Sequence, residues 1–396
     1  MNAERISRLA EGAYPWTVDV RRRLHRIPEP GFEEFKTQRL ITELLDEMDI
    51  PYETRRTWVV AEIRGALPGR VVGLRADIDA LPVVEPEGCP FRSEHEGWMH
   101  ACGHDVHTAI QLGVAKALAP MRGEMRGAVK LFFQPAEETE GGAKPMVEAG
   151  VLENPHVDAS YGLHLQSRLP LGAVETRYGT LNASTDDVLI DIVGRGGHAA
   201  YPEAGVDAIV CAAHVLTALQ TLVSRNVSPL QSAVLSFGVI EGGRAANVLC
   251  ERVHLKGTLR TADPALRAML QERIRSVSEN VAQAFGAIAE VRIIEGYSPL
   301  VNHQREAKRV LDAAAALFGE GAVILKDGPS MGGEDFSYFI ETNPGAFYHI
   351  GCTPPENLPA PALHSPLFSP DERCILTGLQ MQLALALTET ETEEAP

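Results

Sequence analysis

The chain lacks a cysteine framework. Its six cysteines (89, 102, 211, 250, 352 and 374) are widely scattered and none forms a C-x-x-C pair, so structural disulfides are not expected and each thiol is judged alone. Positive charge is also scarce. There are 36 Lys and Arg against 53 Asp and Glu, a formal net charge of −17, which argues against nucleic acid or anionic lipid as a partner. An anionic small substrate remains compatible, because a local basic site overrides the global sign. Long apolar runs are absent: no stretch approaches the ~20 residues of a membrane span. The opening Met1-Asn2-Ala3-Glu4-Arg5 leads into polar residues with no apolar leader, so a cytoplasmic protein with no membrane partner is expected. There is no internal repeat. Low complexity is confined to the Thr- and Glu-rich tail 388–396, which is expected to fray.

What is present describes a folded, two-domain chain. Hydrophobic residues make up 45% and charged residues 22% of 396, an ordinary globular balance at a length where one core usually stops growing. The first half alternates helical spacing (16–27, 33–48, about 107–118) with short apolar strands (58–63, 71–75, 128–133, 159–163). That rhythm predicts an α/β domain whose mostly parallel sheet is flanked by helices. From about 182 the order changes to strand 185–193, helix 207–223, strands 232–240 and 252–260, helix 264–284 and strand 287–294. This β-α-β-β-α-β order is the ferredoxin-like α+β arrangement. After Tyr297 helix–strand alternation returns, ending in a helix over 372–387. The boundaries read as 1–183 and 298–396 for a large domain and 184–297 for an inserted one.

Several segments carry chemistry. Met99-His100-Ala101-Cys102-Gly103-His104-Asp105-Val106-His107 concentrates imidazole, thiol and carboxylate. In an extended segment Cys102 and His104 point to one side, and Gly103 leaves room for a close backbone approach. Thiolate and imidazole together suit a borderline-soft divalent metal; the ordinary alternative is a buried Cys beside a helix start. Phe132-Phe133-Gln134-Pro135-Ala136-Glu137-Glu138 puts two carboxylates after an apolar strand, where open α/β sheets bind ligands. One could bind metal while the other acts as general base; alternatively both are a solvated helix start. Tyr161-Gly162-Leu163-His164 reads as a strand ending in a ligand. His364 lies in a Pro-rich loop, and Asp77 and Asp79 alternate at the end of a strand. Each feature alone is weak, and the argument is collective.

Gly194-Arg195-Gly196-Gly197-His198-Ala199 formally matches a dinucleotide-binding G-x-G-x-x-A. That motif needs a helix to begin at once. Here Tyr201-Pro202-Glu203-Ala204-Gly205 intervenes, so His198 reads as a loop side chain.

These pieces, in this order, resemble the metal-dependent amidohydrolases that include bacterial aminoacylases, hippurate hydrolases and plant auxin-conjugate hydrolases. The matching stretches are Leu24-His25 through Pro28-Glu29, Gly73 through Pro82, His100 through His104, Gln134 through Glu138, Gly162 through His164, Gly194 through His198, Asn247 through Arg260, Met331 through Phe336, and Leu363-His364-Ser365. The resemblance implies five metal ligands, Cys102, His104, Glu138, His164 and His364, for two divalent ions. Five side chains serve two ions only by sharing, and Cys102 stands where relatives use an aspartate bridge. Zinc or manganese come first, and cobalt or nickel also suit these donors. The resemblance further assigns Glu137 as the general base on a bridging water, and Asp77 as the residue orienting a ligand from behind. His198 is assigned to the scissile carbonyl, possibly across a homodimer interface, and Asn247 and Arg260 to the substrate carboxylate. The inserted domain would be a lid that also dimerises. Trp58, Val106 and Cys250 depart from the family pattern; none removes a ligand, and Val106, beside the metal loop, is expected to narrow the pocket.

The expected activity is hydrolysis of an N-acyl-L-amino acid to a carboxylate and a free amino acid. Two alternatives share the fold: a dipeptidase or carboxypeptidase using the same site, and a non-catalytic binding protein. A nucleophilic enzyme is disfavoured, and Cys102 would be its alternative nucleophile.

Overall fold

The computed structural model describes residues 2–391. The chain divides into two compact units: one covers the residues through Gly179, Val301–Gly328 and those from Asp335 onward, the other Thr180–Leu300 and Pro329–Glu334. The short return segment 329–334, read from sequence as part of the large domain, thus clusters with the inserted unit.

The first unit is built on an eight-stranded sheet in the spatial order Tyr52–Arg55, Trp58–Arg64, Arg126–Gln134, Leu67–Asp77, Ala159–Pro170, Gly345–Thr353, Val174–Thr176, Val323–Leu325. Its central strands are parallel: Leu67–Asp77 pairs in parallel with Arg126–Gln134 and with Ala159–Pro170, and Ala159–Pro170 with Gly345–Thr353. Antiparallel pairs close one edge. The strand Gly345–Thr353 is buried at every position, as parallel strands covered on both faces require. Helices His104–Leu118, Gln304–Phe318 and Cys374–Glu391 pack on this sheet, and Ala3–His25 packs against the first and last of them. The first helix starts well before the expected residue 16 and carries Pro15 inside it.

The tail is partly tied down. Glu389 is buried, where it accepts hydrogen bonds from Arg70 at 2.8 Å and the Tyr161 hydroxyl at 2.7 Å and pairs with Arg309. The expected fraying therefore does not begin at 388, because buried charge partners hold that turn. Residues 392–396 of the tail lie outside the described residues.

The second unit has a four-stranded antiparallel sheet in the order Ala233–Gly242, Arg252–Thr261, Asp186–Val193, Ile288–Glu295. By chain position this is second, third, first, fourth, the ferredoxin-like arrangement. Helices Ala208–Thr221 and Pro264–Ala284 pack on each other and on the sheet, and Val188, Ile190, Ile192, Val253, Leu255 and Leu259 supply the covered face. Arg252–Thr261 alternates buried and accessible positions, the period-2 signature of a strand covered on one side. The expectation that nothing approaches a membrane span is too strong. Residues Ala208–Asn226 form a 19-residue helical stretch of mean hydropathy 1.4, long and apolar enough by those criteria, with a third of it buried. Its Cys211, Ala212, Val215 and Leu219 face the second unit's core.

Candidate metal centre

Local geometry explains how the His100–His104 segment presents its donors. Gly103 is left-handed (φ +91) and sits at the N-cap, so the helix starts at His104 itself, not near 107. The extended arrangement inferred from spacing is replaced by a tight turn. A β-carbon at Gly103 would lie 2.7 Å from Leu165 Cδ1, so only glycine permits both the turn and the packing. Val106 points into the hydrophobic core of this unit and does not line the pocket, contrary to the expectation.

Four segments of the first unit converge. Cys102 Sγ lies 3.3 Å from His164 Nε2 and 3.3 Å from His364 Nε2. Glu138 Oε1 lies 3.0 Å from His364 Nε2 and 3.8 Å from His104 Nε2, and ligand atoms of His104, Glu137 and Glu138 all lie within 4.8 Å of one another. His164 stands inside the strand Ala159–Pro170, which runs six residues past it, so it is not the strand end inferred from sequence. His364 adopts φ +66, and its amide donates to Ala101 O at 2.9 Å, which fastens its loop to the cysteine segment.

The surrounding hydrogen bonds orient these donors. His104 Nδ1 donates to the Asp79 carbonyl at 3.0 Å and carboxylate at 3.1 Å, leaving Nε2 as the nitrogen with no hydrogen-bond partner. His164 Nδ1 donates to Leu165 O at 2.6 Å, which turns its Nε2 towards Cys102. Glu138 Oε1 is buried and also has no aligned donor, despite its proximity to His364. Buried unpartnered acceptors are costly, and imidazoles held by Nδ1–H on a carboxylate or carbonyl are how proteins prepare Nε2 for a metal. Three imidazoles, a thiol and a carboxylate in this disposition fit borderline-soft divalent cations.

Electrostatics point the same way. Burial opposes charge on His104, but Asp77, Asp79 and Glu138 overcome it and raise the imidazole to about 10. Burial, with Glu138 and Glu137 nearby, pushes the Cys102 thiol well up. The pocket is therefore one that favours added positive charge.

Asp77 binds His107 Nδ1 at 2.6 Å and Arg75 at 2.8 Å and stands 3.7 Å from His104 Nε2. His107 in turn accepts the Leu165 amide at 2.9 Å, linking Asp77 to the backbone beside His164. Arg75 and Gln134 reach Asp335 at 2.9 and 2.8 Å, a buried polar layer beneath the cluster. His100 is buried with neither ring nitrogen hydrogen-bonded, and burial lowers it to about 3, so it packs as a neutral ring.

Sequence reasoning gave no role to Asp79, which holds His104 and also accepts the Glu138 amide at 3.0 Å. Its alternation with Asp77 was the only signal.

His198, Asn247 and Arg260 belong to the second unit. His198 lies on a two-residue strand, Gly197–His198, paired with Val248–Leu249, and Ala199 N donates to Asn247 O at 3.0 Å. The exposed His198 ring accepts the Ala200 amide at Nδ1, 3.1 Å, which leaves the proton on Nε2. The helix after this Gly-rich loop begins only at Ala208, which disposes of the dinucleotide reading. Arg260 lies on Arg252–Thr261, its Nη1 3.7 Å from where a Gly333 β-carbon would stand.

Comparisons with known proteins add to this geometry. The model of peptidase family M20/M25/M40 matches residues 73–388. The chain is 40% identical over 361 residues to an N-acetyl-L-cysteine deacetylase of Bacillus subtilis (strain 168), covering 91% of this chain and 84% of that protein. It is 37% identical over 363 residues to an N-acetyldiaminopimelate deacetylase of Exiguobacterium sibiricum, with 91% and 95% covered. A solved Bacillus subtilis protein described as a dinuclear metal binding peptidase of the M20 family superposes with a TM-score of 0.84 at 34% identity, over 97% of this chain and 99% of that one.

Proposed function

Because the chain belongs to peptidase family M20/M25/M40, we propose that it is a metal-dependent amidohydrolase that cleaves N-acyl-L-amino acids to a carboxylate and a free amino acid in the cytoplasm. The observation that carries this reading is the meeting of buried Cys102, His104 and His164 with partly buried Glu138 and exposed His364, with the Nε2 of His104 unpartnered. Relatives named as deacetylases of N-acetyl amino acids support the substrate class.

The five side chains would hold two divalent ions, zinc or manganese first, with Cys102 shared between them. Bound ions would supply Lewis acidity that eases ionisation of the attacking water and polarises the amide carbonyl. The chain's own groups do the rest. Glu137, directly before the ligand Glu138, takes the water's proton on its carboxylate and returns it to the departing nitrogen. His198, with its proton on Nε2, donates to the oxyanion, a contact worth about 3 kcal/mol. Asn247 and Arg260 grip the substrate carboxylate, Arg through its planar fork. Asp77 fixes His107 and Arg75 behind the ligands. The second unit acts as lid and as the homodimer surface; its edge strand Ala233–Gly242 exposes Val234, Val239 and Ile240.

The test is turnover of N-acetyl, N-benzoyl and dipeptide substrates after chelation and reloading with each metal in turn. Loss on chelation with recovery on reloading, and preference for the acylated amino acids, is the expected result. A fully loaded protein that cleaves only dipeptides would replace the reading with a peptidase. Activity that resists chelators but is lost on thiol alkylation would transfer the chemistry to Cys102 as nucleophile.

A further inference from the structure

Glu34 stands at the N-cap of the helix Phe35–Glu47 but makes no capping hydrogen bond to it. Glu29 takes that task, accepting the amides of Lys36 at 2.9 Å and Thr37 at 2.9 Å. Freed from its own helix, the Glu34 carboxylate is wholly buried. Its Oε1 accepts the Ala136 amide at 2.9 Å, while Oε2 has no hydrogen-bond partner.

Ala136 is an unusual residue to hold. It has φ +57, a left-handed backbone that a residue with a β-carbon adopts at a cost. It directly precedes Glu137. The loop bearing Glu34 also presses on this turn, since a β-carbon at Gly31 would lie 2.9 Å from Ala136 Cα and 2.2 Å from Thr139 Oγ1. Strain of this kind persists only where surrounding groups impose it.

We propose that Glu34 is a positioning residue which, by gripping the Ala136 amide as a carboxylate, holds the strained turn that aims Glu137 at the attacking water. This rests on the assignment of Glu137 as proton carrier. The charge matters because a carboxylate is a stronger acceptor than a neutral acid or amide. Burial is the main influence on its ionisation. The Thr57 hydroxyl favours the charge without making an aligned hydrogen bond, Asp79 opposes it and the Ala136 amide favours it, leaving Glu34 raised to about 7.

The stability consequence has a definite sign. The ordinary value is 4.5 and the folded value about 7, so the folded chain binds this proton more tightly than the unfolded chain. The associated stability is fully present below the ordinary value and is lost as pH rises through about 7. Ionised Glu34 thus costs stability at pH 8 in exchange for its grip.

The experiment compares the metal-loaded parent with Glu34→Gln, which keeps the shape and removes the charge. At pH 8 the variant's kcat should fall about tenfold with KM unchanged, while its Tm rises. Both differences should shrink as pH falls below 7, where the parent becomes neutral at this position. In protein labelled with 15N-alanine, the Ala136 amide, identified by its loss in Ala136→Gly, should shift with a midpoint near 7 in the parent and stay still in the variant. Equal kcat at pH 8 overturns the proposal. So does a variant that is slower and less stable by the same amount at every pH, the mark of a merely structural residue. If the parent hydrolyses no N-acyl-amino acid, the functional reading fails by itself, and the alanine resonance and Tm profile still decide whether the grip exists.

Discussion

Two histidines that follow a glycine, His104 and His198, occupy opposite settings. His104 opens a helix, is almost wholly buried, and has Nδ1 fixed by both the backbone and the side chain of Asp79. His198 sits exposed on a two-residue strand, and its Nδ1 is held only by an amide two residues away. The first is over-determined within its own unit, and the second is restrained only locally. The sheets differ likewise: Gly345–Thr353 is buried throughout, whereas Ala233–Gly242 is largely exposed. Rigid burial suits groups that must present lone pairs to a cation in fixed geometry. An exposed donor on a short strand suits a contact completed by substrate.

The comparison can be broken most decisively at Glu137. Glu137→Gln should lower kcat by about 10³-fold or more while metal content survives; unimpaired turnover would remove Glu137 as the proton carrier. His198→Ala comes next, with an expected loss of about 10²-fold in kcat and unchanged metal stoichiometry. Metal loss in that variant would end the contrast between the two histidines. Asp79→Ala should weaken metal affinity by about 10- to 100-fold, read by competition with a chelating dye, because both His104 and the Glu138 amide lose their anchor. Full affinity in that variant would mean that packing alone orients His104. The smallest effect is expected from Ile240→Glu on the exposed edge strand. It should convert the proposed homodimer to a monomer in sedimentation while changing stability by no more than about 0.5 kcal/mol. An unchanged sedimentation coefficient would move the self-association surface elsewhere.

Much of the fold was legible because burial writes itself into periodicity. Continuous apolar runs such as Phe132-Phe133 marked the central parallel sheet, and alternation in 185–193 and 252–260 marked the inserted unit. The proposed metal-binding side chains could be named from the resemblance that the ordered motifs carry. Their supports could not. Asp79 looked like a second carboxylate beside Asp77, Glu34 like one more acid in Phe32-Glu33-Glu34-Phe35, and Glu389 like part of a frayed tail. Each owes its role to a partner 25 or more positions away: His104, Ala136, and Arg70 with Tyr161.

Local sequence therefore sufficed for the elements, their order and the chemical types assembled at the cluster, since periodicity, turn residues and donor chemistry act over short spans of chain. Which lone pairs point inward was decided by tertiary packing. The turn at Gly103 replaced an extended segment, the hydrogen bonds of Asp79 and Leu165 chose the tautomers of His104 and His164, and a buried Glu34 took hold of Ala136. Hydrogen-bond direction and burial depend on groups brought together only by the folded chain, and no local pattern encodes them.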